Sequence, residues 1–342
     1  LGTSSTAPAV GDLTETALIA RVQQRLPPAP DWLLVGIGDD AAVVEPERNR
    51  AEVLSVDAIV EGIHFDRAFV PPDAIGHRAL AVNLSDLAAM GASPRLALLS
   101  FALPPRLGLD DFDEMIGSLT RLALEHRVHV VGGNLTRSPG PLMLDVTVMG
   151  TVKRRQALLR SGARPGDEIY VSGTIGAAAA GLGMLRAGSQ GAAPGAEGCA
   201  RRYLYPEPRV RLGVQLARNR AAAAAIDLSD GLADGIHRIA GASGVGAVIE
   251  TDALPIDPAA RGWFEEGGLD PITQAITGGD DYELLFTVRP RSGRRLEAAR
   301  RHGGVPLTRI GTCTQARPVV LHDRGAEREL PHEGWSHFGH DE

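Results

Sequence analysis

Only two cysteines, Cys199 and Cys313, occur in the 342 residues, too few for a disulfide framework or a cysteine-rich zinc site. Lysine is scarcer still: of 35 basic residues, Lys153 alone is a lysine. It sits in Thr-Val-Lys-Arg-Arg, away from any Gly-rich loop ending in Gly-Lys-Ser/Thr. A P-loop is therefore excluded, and lysine-dependent phosphate chemistry must use Lys153 or be absent. Charges and prolines interrupt every apolar run before it reaches the roughly 20 residues of a membrane-spanning helix. The first ten residues lack a basic cluster followed by an apolar core, so they do not read as a secretory signal. The chain starts with Leu and not Met. These absences predict a reducing, cytoplasmic setting with no membrane partner.

What is present fits a soluble globular protein: 44% of residues are hydrophobic and 23% charged. At 36.0 kDa there is room for two ordinary domains or one large one. A formal net charge of −7 argues against nucleic-acid binding, which needs many phosphates neutralised by basic side chains. No short repeat is visible.

Hydrophobic periodicity predicts an α/β (or α+β) chain. In the first half, strands are expected at 53–57, 95–103, 128–131 and 142–152, the third ending at Gly132-Gly-Asn134. Helices are expected at 74–90, which puts Asn83, Asp86 and Met90 on one face, and at 110–126, where early aspartates suit the helix dipole. In the second half, strands are expected at 168–172, near 224–228, and at 247–250, 284–288 and 309–313. An Ala-rich helix should follow Gly173-Thr-Ile-Gly176 and another should span 209–219. Residues 188–198, rich in glycine, read as a surface loop. A basic, polar stretch near 150–161 is the best boundary, giving domains 11–152 and 153–342.

Acidic residues recur beside glycine or small residues near predicted strand ends: Gly36-Ile-Gly-Asp-Asp-Ala-Ala42, Ser55-Val-Asp57 followed by Glu61-Gly-Ile-His-Phe65, Asn83-Leu-Ser-Asp86, Ile226-Asp-Leu-Ser-Asp-Gly231 and Gly278-Gly-Asp-Asp-Tyr-Glu283. Any one alone reads as a turn or a helix cap. Gly36-Ile-Gly38 lacks the third glycine of a dinucleotide fingerprint, and the acids that follow would repel a pyrophosphate. Together the segments say more. Converging aspartates must be relieved by cations or by raised pKa values. An oxygen-only donor set suits Mg²⁺ combined with substrate phosphates, whereas no histidine pair has zinc-site spacing. His332, His337 and His340 read as surface or substrate-side residues. Arg137 and Arg160 are candidates for phosphate recognition, although a solvated arginine is the plainer account of each.

These motifs, with Ala-Val-Asn-Leu-Ser-Asp-Leu-Ala-Ala-Met-Gly-Ala at 81–92, Arg-Ser-Gly-Ala-Arg-Pro-Gly-Asp at 160–167, Ile-Asp-Leu-Ser-Asp-Gly-Leu at 226–232, Gly-Gly-Asp-Asp-Tyr-Glu-Leu at 278–284 and Gly-Trp-Ser-His-Phe at 334–338, resemble in order those of the thiamine-monophosphate kinases. The resemblance runs from about residue 11 to 338. It implies the two-domain fold of the aminoimidazole-ribonucleotide synthetase superfamily: an N-terminal α/β domain whose sheet pairs with a second subunit's, making a homodimer, and a C-terminal α/β domain. The implied activity is ATP-dependent, Mg²⁺-assisted phosphorylation of thiamine monophosphate to thiamine diphosphate. The rivals are another enzyme of that superfamily, such as aminoimidazole-ribonucleotide synthetase, and a non-catalytic nucleotide-binding relative. Selenophosphate synthetase lacks support because no reactive cysteine sits in an N-terminal Gly-rich segment, and the hydrogenase maturation factor because the chain ends His-Asp-Glu.

By position, the resemblance assigns Asp40, Ser55, the backbone of Val56, Asp57, Asp86, Asn134, Asp227 and Asp230 to Mg²⁺. Asp57, Asp86 and Asp230 are the implied catalytic residues. Gly133, Asn134, Arg160, Ser229 and His126 are implied for ATP, and His64, Asp280 and Trp335 for the thiamine substrate. Three positions depart from the family pattern: Val56 replaces a hydroxyl residue, Asp280 a glutamate, and His126 an aromatic.

Overall fold

Branched residues concentrated between Arg50 and Val60 favour a pleated strand. The computed structural model, which describes residues 7–189, 195–323 and 325–332, extends this segment as one. The chain divides into two compact units. One comprises residues up to Leu84 with Pro94–Thr151, and the other Ser85–Ser93 with Val152 onward.

In chain order the first segment carries helix α1 (Glu15–Gln23), the short strands β1 (Leu33–Val35) and β2 (Val43–Val44), and strand β3 (Arg50–Val60). Helix α2 (Pro72–Ala89), strand β4 (Ser93–Leu103), helix α3 (Leu109–Glu125), and strands β5 (His129–Arg137) and β6 (Met143–Lys153) follow. Among the described residues, the four long strands order β3-β6-β4-β5, with β4 and β5 parallel. Register shifts where Ala97 and Leu98 face Val130 and Gly132, leaving Val131 as an extra residue. The predicted strand end at Gly132 is therefore corrected: β5 continues through both glycines to Arg137. A Cβ on Gly133 would sit 1.9 Å from the Leu99 carbonyl oxygen, so glycine is what lets the strands stay paired there. The same device joins α2 to α3, where a Cβ on Gly76 would lie 2.0 Å from the Met115 oxygen. Trp32, Leu33, Ala42 and Val44 cover the small cluster of Leu96, Val131 and Met149, and the Arg95 guanidinium lies 4.2 Å from the Trp32 ring centre.

The second unit contains β7 (Glu168–Ser172), α4 (Ala177–Arg186), α5 (Ala196–Leu204), α6 (Val210–Asn219), β8 (Ala224–Asp227) and α7 (Leu232–Ser243). It continues with β9 (Gly246–Glu250), α8 (Pro258–Glu266), α9 (Pro271–Thr277), β10 (Leu284–Val288), α10 (Gly293–Gly303), β11 (Leu307–Thr314), β12 (Val319–Asp323) and β13 (Ala326–Glu329). Asp-Pro pairs start α8 and α9: the side chains of Asp257 and Asp270 accept from amides of the first turn, and proline fills the first helical position. The sheet orders β13-β12-β9-β11-β7-β10-β8 among the described residues, antiparallel except for β12 beside β9. Strands β8 and β10 are buried throughout, so their apolar runs are continuous rather than alternating. The end of the glycine-rich loop expected at 188–198 is corrected, because Gly195 caps α5 and Ala196-Glu-Gly198 are helical; residues 190–194 lie outside the described residues.

Candidate active site

In the first unit, Asp57 lies inside β3 rather than at a strand end, because the apolar alternation runs on to Val60. The fully buried Asn83 of α2 fixes its backbone, accepting from the Asp57 amide at 2.9 Å through Oδ1 and donating through Nδ2 to the Ala79 carbonyl at 3.0 Å. Ser55 precedes it on the same strand, half-buried, while the Val56 side chain is exposed. Asp40 lies in the exposed turn between β1 and β2, where its amide donates to Asp39 Oδ1 at 2.8 Å and Gly38 takes a positive φ of 123°. His64 Nδ1 accepts from the Val60 amide at 3.0 Å, which places the neutral ring's proton on Nε2. Gly133 and Asn134 lie on β5, with Asn134 exposed and paired in register with Ser100. They border a mostly apolar, half-open pocket walled also by Ile19 and Val22 of α1, Ile116 of α3 and Gly132. His126 caps the C-terminus of α3; burial lowers its proton affinity, Glu125 opposes that shift, and His77 adds to it.

In the second unit the closing turn of α2 brings Asp86 toward β8. Around it α2 is buried, with Asp86 the one half-exposed residue between Ala81 and Ala89. Asp227 ends β8 and is buried; Ser85 Oγ donates to its Oδ2 at 2.7 Å. Burial and the charge of Asp86 push the Asp227 carboxyl up to about 7, against the Ser85 hydrogen bond and the positive charge of Arg160. Two carboxylates and a hydroxyl held this way form an oxygen-only donor set that a hard divalent cation would relieve, so these residues fit Mg²⁺. Among the described residues, no group of three or more His, Cys, Asp or Glu gathers at metal-binding distance, which leaves phosphate and water oxygens to complete any coordination sphere.

The loops on either side of the β8–β10 pair interlock. Leu228 N–H donates to the Glu283 carbonyl at 2.9 Å, Tyr282 N–H to Leu228 at 3.0 Å, and Asp280 N–H to Ser229 at 2.8 Å. Asp230 lies 3.6 Å from Arg238 of α7. Arg160 is exposed, its carbonyl accepting from Ser243 Oγ at 3.3 Å. Trp335, like the rest of the 334–338 motif, lies outside the described residues. Sequence reasoning gave no role to Ser85, Asn83, Asp281, Glu283, Arg202 or Arg209. Asp281 and Glu283 stand within a motif already noted for its acids, whereas nothing in the sequence pairs the two arginines with Glu283.

This two-domain arrangement is that of the AIR synthase related proteins: their N-terminal domain model matches residues 38–152 and their C-terminal domain model residues 164–324. Within that class the chain belongs to the thiamine-monophosphate kinase family. It is 39% identical to the thiamine-monophosphate kinase of Escherichia coli K12 over 95% of this chain and 98% of that protein. The crystal structure of thiamine-monophosphate kinase from Stenotrophomonas maltophilia K279a superposes with a TM-score of 0.81 at 39% identity, covering 93% of this chain and 98% of that one. "AaThiL complexed with AMPPCP and TMP" superposes with a TM-score of 0.74 at 30% identity, covering 98% and 100%.

Proposed function

We propose that this protein transfers the γ-phosphoryl group of ATP to the phosphate of thiamine monophosphate, giving thiamine diphosphate and ADP. Kinship along nearly the whole chain with thiamine-monophosphate kinases carries the reading, one relative having been solved with AMPPCP and TMP. The repelling Asp86–Asp227 pair supports it, because such a pair is unfavourable without a cation.

The attacking group is a phosphate oxygen, ionised at neutral pH, so no side chain need act as general base and the missing catalytic lysine is no obstacle. Bound Mg²⁺ supplies charge neutralisation between the two polyanions. Asp40 and Asp57 of the first unit and Asp86, Asp227 and Asp230 of the second would share the Mg²⁺ ions, with Ser55, the Val56 backbone and Asn134 assisting and phosphate oxygens completing each coordination sphere. Arg160 and Ser229 bind nucleotide phosphates, and the apolar pocket beside Gly133 and Asn134 takes the purine, with His126 nearby in sequence. His64, Asp280 and Trp335 meet the thiamine moiety, where the Asp280 carboxylate favours its positive charge. Residues 11–152 serve as the nucleotide and dimerisation domain, and 153–342 complete the site. The homodimer uses the exposed apolar residues of the first unit, Leu54 and Val56 on β3 and Leu98 on β4. A cytoplasmic location suits the two unbridged cysteines; no described helix is long and apolar enough to cross a membrane.

The test is transfer of label from γ-labelled ATP with Mg²⁺. Label in thiamine diphosphate when thiamine monophosphate is offered, and none in any product when thiamine is offered, is the expected result. ATP binding without transfer would favour the non-catalytic rival.

A further inference from the structure

We propose that Glu283 is a positioning residue for the acceptor half of this site: clasped between Arg202 and Arg209, its carboxylate holds the 278–283 segment in the strained shape that presents Asp280. The inference rests on the kinase reading and extends it to Glu283, Arg202 and Arg209, to which the sequence alone gives no role.

The strain is explicit. Asp280 has a φ of 68° and Tyr282 a φ of 49°, both in the left-handed region, two residues apart. An aspartate tolerates that region, but a tyrosine rarely occupies it. Such a conformation persists only where the surroundings over-determine it, and it clusters at functional sites. Here the surroundings do. Glu283 is fully buried and accepts from Arg209 Nε at 2.7 Å and Nη2 at 2.5 Å, from Arg202 Nη2 at 2.8 Å, and from Ser172 Oγ at 2.5 Å. Arg202 also donates to the Asp281 carbonyl at 3.1 Å, so one guanidinium grips the segment at two points. The Asp281 carboxylate accepts from the amides of Gly176 at 2.7 Å and Ala178 at 3.2 Å, tying the segment to the start of α4. The room for the clasp is built in, since a Cβ on Gly173 would meet Glu283 Oε1 at 2.1 Å.

Stability alone is a poor reason for such an arrangement, because a buried ion pair often does no better than an apolar replacement. What the clasp does achieve is a fixed direction for the residue two positions before Tyr282. The Tyr282 hydroxyl reaches Asp280 Oδ1 at 3.1 Å, and the Asp280 amide is held by Ser229. The carboxylate expected to meet the cationic heterocycle is thus set, through Glu283, by side chains from α5 and from the residue before α6.

The test compares Arg202→Gln, Arg202→Lys and Glu283→Gln with the unaltered protein, measuring KM for thiamine monophosphate, KM for ATP and kcat in each folded variant. The expected result for Arg202→Gln and Glu283→Gln is a rise of about tenfold or more in acceptor KM, with KM for ATP unchanged. Arg202→Lys, which keeps one charged donor, should recover part of the loss. Glu283→Gln leaves two arginines without their carboxylate; should it fail to fold, Arg202→Gln decides, because Arg209 still pairs with Glu283. Unchanged acceptor KM in folded Arg202→Gln overturns the positioning role, and so does an equal rise for both substrates. Unaltered protein that does not phosphorylate thiamine monophosphate at all overturns the kinase reading itself, a separate outcome.

Discussion

Asp281 shows how one buried carboxyl shapes behaviour with pH. Burial pushes it up to about 7, although the Gly176 and Ala178 amides and the Arg202 charge all oppose the shift. An unfolded aspartate titrates near 4. Because the folded value is the higher one, the folded state binds the proton more tightly. The stability contributed by this group is therefore complete below the ordinary carboxylate range and is lost as pH rises through about 7. Asp227 is shifted in the same direction by burial and by Asp86. Urea unfolding of the metal-free protein should accordingly show lower stability at pH 8 than at pH 5.5. Asp281→Asn should flatten part of that slope, and an unaltered slope would contradict the assignment.

Where some helices and strands approach closely, glycine leaves the room. Adding a methyl group at Gly76 places it against the Met115 backbone, where no side chain can yield, so α2 and α3 must separate. Gly76→Ala should cost about 1–3 kcal/mol, read as a lowered urea midpoint with an unchanged slope. Much at this scale was legible. The strand at Glu168–Ser172 follows from its branched, apolar run and α6 from its apolar periodicity, whereas α2, buried nearly all round, shows only in the spacing of Asn83, Asp86 and Met90. Gly132 and Gly133 misled because glycine commonly punctuates a strand, whereas here its lack of a side chain is what lets β5 stay against β4. Ala196-Glu-Gly198 misled because its composition is loop-like, yet it is the first turn of an amphipathic helix. At the site, the aspartate motifs were visible because several acids recur beside turns. The partners that give them meaning were not. Ser85 on Asp227, and Arg202 and Arg209 on Glu283, are contacts between residues more than 70 positions apart, on which local pattern is silent.

For the molecule as a whole, the first unit leaves Leu34, Val43, Leu54 and Val56 exposed, with Leu54 at 66% and Val56 at 56%. Apolar side chains on an edge strand are an invitation to pairing that a monomer would normally blunt with charge. Leu54→Glu combined with Val56→Arg should therefore convert a dimer to a monomer in sedimentation velocity, leaving each subunit folded; a chain that is monomeric before substitution would refute the proposed homodimer. The most direct test of the account as a whole is to count bound Mn²⁺, in place of Mg²⁺, by electron paramagnetic resonance in the presence of a non-hydrolysable ATP analogue. Metal should bind to the unaltered protein and be lost, together with most turnover, in folded Asp57→Ala and Asp86→Ala; full Mn²⁺ occupancy and activity in those variants would contradict it.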